Sequence, residues 1–333
     1  MEYDASLREE LTGRILGFVV SQAVHAAAAL GIADLLADRR RTAAELAEAV
    51  DADPDTLYRL LRLLAGHGIF VEEAGGRFAN SPLSELLREV PGSLHALALH
   101  VGEFSYPAMG ETLHMVRTGE PAFEAVFGAV LEEHLARDPR ARDRFDGALA
   151  AGGEALAELL AARAWSGAET VVEIGGGAGG LLQGLLRRRP GLRGVVFDLP
   201  EAAVEAARRL RAAGLADRCR TLAGSYFRDV PAGGDVYVLS GVLHYWDDRH
   251  AGEILRVVRR AIPDHGRLLL VEEVVAPPNR PQGKLMDLLM LAVGGRERTE
   301  EQWRALLAGG GFRLDAIEPR TGASLLEAAP APA

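Results

Sequence analysis

Residues 171–190, VVEIGGGAGGLLQGLLRRRP, lead a short apolar strand through five glycines into a helix. Glycine lets backbone approach a ligand and lets the chain turn where a Cβ would clash. Gly175, Gly176, Gly177, Gly179 and Gly180 can therefore cradle a nucleotide-like ligand at a helix N-terminus, or form a bare turn. Two acids favour the ligand. Glu173 stands inside the apolar strand, and Asp198 closes the next apolar run, RGVVFDLP, at the distance where an acid meets ribose hydroxyls in dinucleotide folds. Asp198 also fits a helix N-cap before Pro200. No Gly-Lys-Ser/Thr ending follows the loop and the first basic residue is Arg187, so nothing there balances a triphosphate. Glu173 would repel a pyrophosphate and suits a ligand that carries an ammonium group.

The elements that must hold this loop follow from period and punctuation. Apolar runs predict strands over 170–175, 193–198, 219–224, 235–240, 266–274, 312–318 and 323–328, with helices between the first five, which implies a mostly parallel, doubly wound α/β sheet. Ligands of such sheets sit beyond the carboxyl ends of the strands. The first part of the chain reads as helices: TAAELAEAV with Thr42 as N-cap, and DPDTLYRLLRLLAGHGI with Pro54 at its start and Gly66 and Gly68 at its end. FVEEAGGRFANS reads as a hairpin around Gly75-Gly76, which completes a winged helix-turn-helix order. Residues 92–160 continue as helices with breaks near Pro107, Pro121 and Pro139, and the alanine-proline tail is expected to fray.

Six stretches in order, VVEIGGGAGG, FDLP, GSYFRDVPAGGDVYVLSGVLHYWDD, GRLLLVEEVV, MDLLMLAVGGRERTEEQW and LLAGGGFR, resemble class I S-adenosylmethionine-dependent methyltransferases. More narrowly, the chain from residue 171 to about 327 is similar to the small-molecule O-methyltransferases of bacterial secondary metabolism and plant phenolic methylation. The resemblance implies a Rossmann-like methyltransferase domain behind an N-terminal all-helical winged-helix dimerisation domain. Expected limits are 1–100 for dimerisation, 101–160 for a helical linker contributing to the acceptor pocket, and 161–333 for the donor-binding domain. The cofactor expected is S-adenosyl-L-methionine, with S-adenosyl-L-homocysteine as product. Its methionine end falls to Glu173, Gly175 and Gly177, its ribose to Asp198, and its remainder to Leu199, Gly224, Ser225, Tyr226, Phe227 and Ser240. Many relatives have Asp at Ser225, and plant members have Lys at Ser240, which biases the relationship toward bacteria.

The resemblance places the catalytic histidine on His244, just past the fourth strand, where a side chain with a pKa near 6.5 is matched to take a phenol's proton. Glu272 and Glu297 fall where the family has carboxylates that orient this base or contact the acceptor. The register is open by one residue between Glu272 and Glu273, and Glu297 also fits first-turn charge ahead of a Thr299–Gln302 capping box. Tyr245 replaces the family's usual Asp, which leaves open how the imidazole is oriented. An apolar slot for an aromatic acceptor has Phe104, Tyr106, Met109, Phe123, Phe127, Tyr245, Trp246, Met286 and Met290 available, with Leu149 where relatives often have Met; each also fits a core position.

Composition bounds the alternatives. The chain of 333 residues is 48% hydrophobic, enough for about two domains. A net charge of −10, with five acids against two arginines over residues 42–70, argues against nucleic acid and against a ligand-responsive DNA-binding regulator. The single cysteine, Cys219, suits a reducing cytosol, and MEYDASLREE lacks the basic start of a signal peptide, so a cytoplasmic location is expected. Residues 15–33 are long enough to span a bilayer, but Gly17, Ser21, Gln22 and His25 make them read as part of a dimer core rather than a membrane span. A homodimer without a metal, acting on a small aromatic acceptor, is expected. N- or C-methylation, and hydroxylation or decarboxylation with the cofactor kept structurally, are the alternatives; the presence of His244 counts against the last two.

Overall fold

The computed structural model describes residues 4–150, 153–167, 169–320 and 322–332. The chain divides into two units, Met1–Pro107 with Asp138–Ala151, and Ala108–Arg137 with Gly152–Ala333.

In the first unit the helix Ala5–Ala29 is capped by Asp4, which accepts the Ser6 N–H at 2.8 Å, so the helix starts well before the apolar stretch expected over 15–33. It stops at Leu30, because Gly31 turns at φ 63 before the short helix Ile32–Leu35. Thr42 and Glu45 form a capping box for the helix Ala43–Val50, and Asp53 caps the helix Pro54–Gly66. Strands β1 (Arg41–Thr42), β2 (Phe70–Glu73) and β3 (Arg77–Asn80) pair in the order β1-β3-β2. The β2–β3 turn needs Gly75 and Gly76 at φ 81 and 67. Leu46, Leu57, Leu61, Leu64, Phe70 and Phe78 close a core beneath them. Leu7, Leu11, Ile15, Leu16, Phe18 and Val19 on the first helix are 41–63% exposed. No helix among the described residues is long and apolar enough to cross a membrane.

The expected break at Pro107 is absent. The chain stays helical from His95 to Gly110, because a wider π turn over Val101–Ser105 brings the Tyr106 N–H to the Val101 carbonyl and accommodates the proline that follows. Pro121 and Pro139 do stand at helix starts, those of Ala122–Phe127 and Pro139–Ala150.

The second unit holds a seven-stranded sheet: β4 (Thr170–Ile174), β5 (Arg193–Asp198), β6 (Cys219–Ala223), β7 (Val236–Ser240), β8 (Arg267–Glu272), β9 (Phe312–Glu318) and β10 (Ser324–Pro330). The order is β6-β5-β4-β7-β8-β10-β9; the first five strands are parallel, and β10 runs antiparallel to both neighbours. Alternate residues feed two cores. Val172, Ile174, Tyr237, Leu239, Leu268 and Leu270 pack with Ile254, Leu255, Val258, Trp303 and Leu307 of the helices Asp248–Ala261 and Glu300–Gly309. Val171, Val196, Val236, Val238 and Leu269 pack with Leu160, Leu182, Leu185, Ala206 and Leu210 of the helices Gly153–Ala161, Gly180–Arg188 and Pro200–Ala212.

Two expectations need correction. No helix joins β6 to β7; residues 224–235 cross as a loop, since Pro231, Gly233 (φ 85) and Gly234 interrupt a segment too short for a helical crossover. The alanine-proline tail is paired as far as Ala331, where fraying was expected: Pro330 pairs with Phe312, and the Ala331 N–H donates to the Gly311 carbonyl at 2.9 Å, while Ala333 lies outside the described residues. Pro330 lies beyond the last β8 partner, Ala328, so its missing N–H breaks no bond on that side.

Candidate active site

The glycine loop leaves the end of β4 and enters the helix Gly180–Arg188. Gly175, Gly177 and Gly179 take φ of 69, 52 and 76, a region that L side chains rarely adopt. A Cβ on Gly175 would lie 2.7 Å from Val242, so this glycine also allows the loop to touch the segment after β7. At Gly177 the space is open, and its N–H donates to Asp198 Oδ2 at 2.7 Å, while Asp198 Oδ1 accepts the Leu199 N–H at 2.6 Å. Asp198 thus closes the loop onto the end of β5; the helix Pro200–Ala212 has no side-chain cap.

Glu173 is 4% exposed and lies beneath the loop, its Cδ 2.9 Å from where a Cβ of Gly176 would be. Burial pushes its carboxyl up to about 8, opposed by the Leu182 N–H and assisted by the Asp198 charge. Burial thus weighs against an unpaired negative charge at this position, and a cation beside it would favour the carboxylate. Its Oε2 has no partner. An unsatisfied buried oxygen under a loop stripped of side chains fits a donor that ends in an ammonium group.

Gly224 donates its N–H to the Asp198 carbonyl at 3.0 Å, and a Cβ there would strike Phe197 at 2.5 Å. Ser225 Oγ accepts the Phe227 N–H at 3.4 Å. Leu199 is exposed, and Ser240 is half-buried at the end of β7. Trp246, expected at the acceptor, meets Phe227 edge-on at 4.7 Å and lies 6.4 Å from the Tyr226 ring, two residues expected at the donor.

After β7 the chain turns at Gly241 (φ 61), and a short 3₁₀ turn, Leu243–Tyr245, presents His244. Its Nδ1 lies 2.7 Å from Glu297 Oε1 and 3.7 Å from Glu272 Oε2. The imidazole is 13% exposed, and both glutamates are buried. A carboxylate only accepts, so Nδ1 carries the hydrogen; Nε2, which has no partner, is the ring's acceptor. Burial opposes the imidazolium, but Glu272 and Glu297 outweigh it, and the His244 pKa lies above its usual value. Burial likewise pushes Glu272 up to about 7, with His244 opposing.

The register question resolves in favour of Glu272. Its Oε1 accepts the N–H groups of Val242 and Leu243 at 3.2 and 2.8 Å, whereas Glu273 lines a separate cavity of about 1160 Å³. That cavity is lined by Met286, one of the residues expected to be available to the acceptor, but by none of His244, Glu272 and Glu297. The Thr299–Gln302 capping box is present, yet Glu297 precedes it and points to the imidazole. Glu297, not the residue at position 245, orients the ring. Tyr245 stacks edge-on to His244 at 4.6 Å, and burial raises its hydroxyl pKa.

Phe127 stacks on Phe123 at 4.5 Å, Met290 is buried and Met109 half-buried in the second unit. Phe104, Tyr106 and Leu149 belong to the first unit; Phe104 is buried, and the other two are exposed. Two residues were missed. Asp287 Oδ1 accepts the Glu297 N–H at 2.9 Å, and Arg298 is wholly buried behind the His244 turn. An acid within the otherwise apolar helix LMDLLML was a usable signal for Asp287; nothing local marks Arg298 as buried.

Comparison with known proteins identifies the family. The profile of an O-methyltransferase dimerisation domain matches residues 13–89, and that of an O-methyltransferase domain matches residues 110–313. The phenazine O-methyltransferase PhzM of Lysobacter antibioticus is 44% identical over 321 residues, which cover 95% of this chain and 94% of that protein. Among solved structures, LaPhzM superposes with a TM-score of 0.93 at 43% identity, covering 97% of this chain and 99% of that one. NcsB1 from neocarzinostatin biosynthesis, solved with S-adenosylmethionine and 2-hydroxy-5-methyl naphthoic acid, superposes with a TM-score of 0.81 at 36% identity, covering 93% and 95%. With two matching profiles in order and relatives aligned along nearly its whole length, the chain belongs to the S-adenosylmethionine-dependent O-methyltransferases that carry a dimerisation domain.

Proposed function

We propose that the protein methylates a hydroxyl of an aromatic secondary metabolite, with His244 as the general base. The observation that carries this reading is the polarity of the imidazole: Nδ1 is committed to Glu297 at 2.7 Å, and Nε2 is left to accept. When bound, S-adenosylmethionine supplies an electrophilic methyl group. Gly175, Gly177, Asp198, Leu199 and the Gly224–Phe227 segment with Ser240 would hold it, and Glu173 would face its ammonium end. A phenol titrates near 10 and is protonated at neutral pH, so its attack gains from a base that takes the proton as the oxygen reacts. His244 takes it at Nε2, and the carboxylates of Glu297 and Glu272 stabilise the imidazolium that forms.

N-methylation is the second reading. One relative, 37% identical, is named 8-amino-8-demethylriboflavin N,N-dimethyltransferase, and a neutral amine needs no base before it attacks. Residues 1–100 act as a dimerisation domain, and the apolar stripe Leu7, Leu11, Ile15, Phe18 supplies contact area for a homodimer in the cytoplasm. A labelled-donor screen tests the function. Its acceptors are 1,4-dihydroxy-2-naphthoic acid and 3-amino-4-hydroxybenzoate, taken from the names of similar proteins, together with a hydroxyphenazine and matched aryl amines. Product on phenols and none on amines is expected; turnover of amines alone overturns the reading. Light scattering at micromolar concentration is expected to report a dimer.

A further inference from the structure

The segment that brings Glu297 to the imidazole also grips the backbone of the His244 turn. Gly295 passes so close that a Cβ would lie 2.1 Å from the His244 carbonyl oxygen, and the Arg296 N–H donates to that oxygen at 2.8 Å. Arg298 then reaches both ends of the turn. Its Nη1 donates to the Leu243 carbonyl at 3.1 Å and its Nη2 to the Trp246 carbonyl at 2.8 Å; Nε donates to Asp248 Oδ1 at 2.8 Å, at the start of the next helix. On the other side, Glu272 holds the N–H groups of Val242 and Leu243. Backbone and ring are thus fixed by neighbouring residues of one strand-like segment, which an isolated bridge from Val274 to Arg298 anchors beside the end of β8.

The identity of residue 298 is not explained by core stability. Arg298 is 0% exposed, and its only carboxylate partner among the described residues, Asp248, has a side chain 55% exposed. Burying a guanidinium costs several kcal/mol, and a well-packed apolar side chain against Trp303 would stabilise the core as well or better. What an apolar side chain, or the single ammonium of lysine, lacks is a planar fork able to hold two carbonyls set apart by a turn.

We propose that Arg298 is a positioning residue for methyl transfer: it holds the Leu243–Tyr245 turn in the register that keeps His244 Nδ1 on Glu297 and Nε2 uncommitted. This rests on His244 being the base. It makes Arg298 act on the reaction only through that ring.

The test uses the full-length protein with Arg298→Met and Arg298→Lys, each alone and combined with His244→Ala, and the phenol from the screen that wild type methylates. Both single variants are expected to lower kcat by about 10- to 100-fold, with acceptor KM and the Kd for S-adenosylhomocysteine within about threefold of wild type. In the His244→Ala background, Arg298→Met is expected to change kcat by less than about threefold. Equal losses in both backgrounds overturn the proposal. A second readout needs no acceptor: histidine-selective ¹⁵N NMR with S-adenosylhomocysteine bound, the His244 signals being assigned by their loss in His244→Ala. Wild type is expected to show the Nδ1–H tautomer alone, and Arg298→Met a mixture. An unchanged tautomer overturns the proposal, whereas full turnover by His244→Ala overturns the base assignment instead. Should Arg298→Met fail to fold, Arg298→Lys, which keeps the charge without the fork, carries both measurements.

Discussion

The glycine loop and the His244 turn follow the carboxyl ends of adjacent parallel strands, β4 and β7, and are built by opposite means. The loop is made by removing side chains: three glycines at positive φ, and one acid, Asp198, from the next strand to close it. The turn is made by adding buried charge, with Glu272, Glu297 and Arg298 converging from 29 to 55 residues beyond Leu243. The first kind of site depends on backbone shape, so damage to it should appear as lost affinity. The second depends on charges held in a dry place, so damage should appear as lost rate with affinity intact.

The largest effect expected is at the proposed base, His244. His244→Ala should lower turnover of a phenol by about 10² to 10⁴ at neutral pH while the calorimetric affinity for S-adenosylhomocysteine hardly changes. Raising the pH should partly rescue it by ionising the phenol in solution. In wild type the base must be neutral, so kcat/KM should fall as pH drops through a value above 6.5, the side to which its carboxylate neighbours move His244. Undiminished turnover in His244→Ala would remove the base from the mechanism and leave transfer to proximity alone.

Next is Glu297→Gln, which keeps the volume and loses the charge. A loss of about 10- to 100-fold in kcat is expected, and the acid limb of the pH profile should move to lower pH, because a carboxylate that holds the imidazolium is gone. An acid limb that stays in place would show that Glu272 sets the ring's basicity. The loop supplies the contrasting case. Gly177→Val forces a branched side chain to φ 52 beside the donor, and Asp198→Ala unties the loop; each should weaken S-adenosylhomocysteine binding by at least about tenfold. A variant that binds normally but turns over slowly would break the division between the two sites.

The smallest effect concerns Glu173. Its folded pKa of about 8 lies above the ordinary 4.5, so the folded chain binds more protons than the unfolded one between these values. Its stabilising contribution is complete below about pH 4.5 and is lost as pH rises to about 8. Thermal unfolding across that window should show Glu173→Gln falling less steeply with pH than wild type. If an ammonium group binds above Glu173, then S-adenosylhomocysteine binding at pH 7 should release a proton, visible as a binding heat that varies with the buffer. No buffer dependence would place the ammonium elsewhere.

The same contrast explains what the sequence disclosed. All seven strands of the sheet, the Thr42 and Pro54 helix starts and the Gly75-Gly76 turn are legible because period, caps and glycines act within a few residues. The glycine loop with Asp198 is legible for the same reason. The partner of His244 is not: whether Glu272, Glu273 or Glu297 meets the ring depends on strand register and on where the segment before Thr299 packs, which local pattern does not encode. Arg298 escaped notice because a buried arginine and a solvated one are the same letter. Pro107 misled, since a π turn absorbed it.

The strand order has a consequence for how the protein is made. β10, last of the seven to leave the ribosome, lies between β8 and β9 rather than at an edge. Until residues 324–330 emerge, β8 and β9 each present a row of unpaired amides and carbonyls facing a gap, with Leu325 and Leu326 missing from the two cores beside it. The second unit therefore cannot complete its sheet before residues 324–330 emerge, and a chain stalled short of them is a target for chaperones. A nonsense codon before residue 324 would yield a species with two open edges, prone to pair with its own kind.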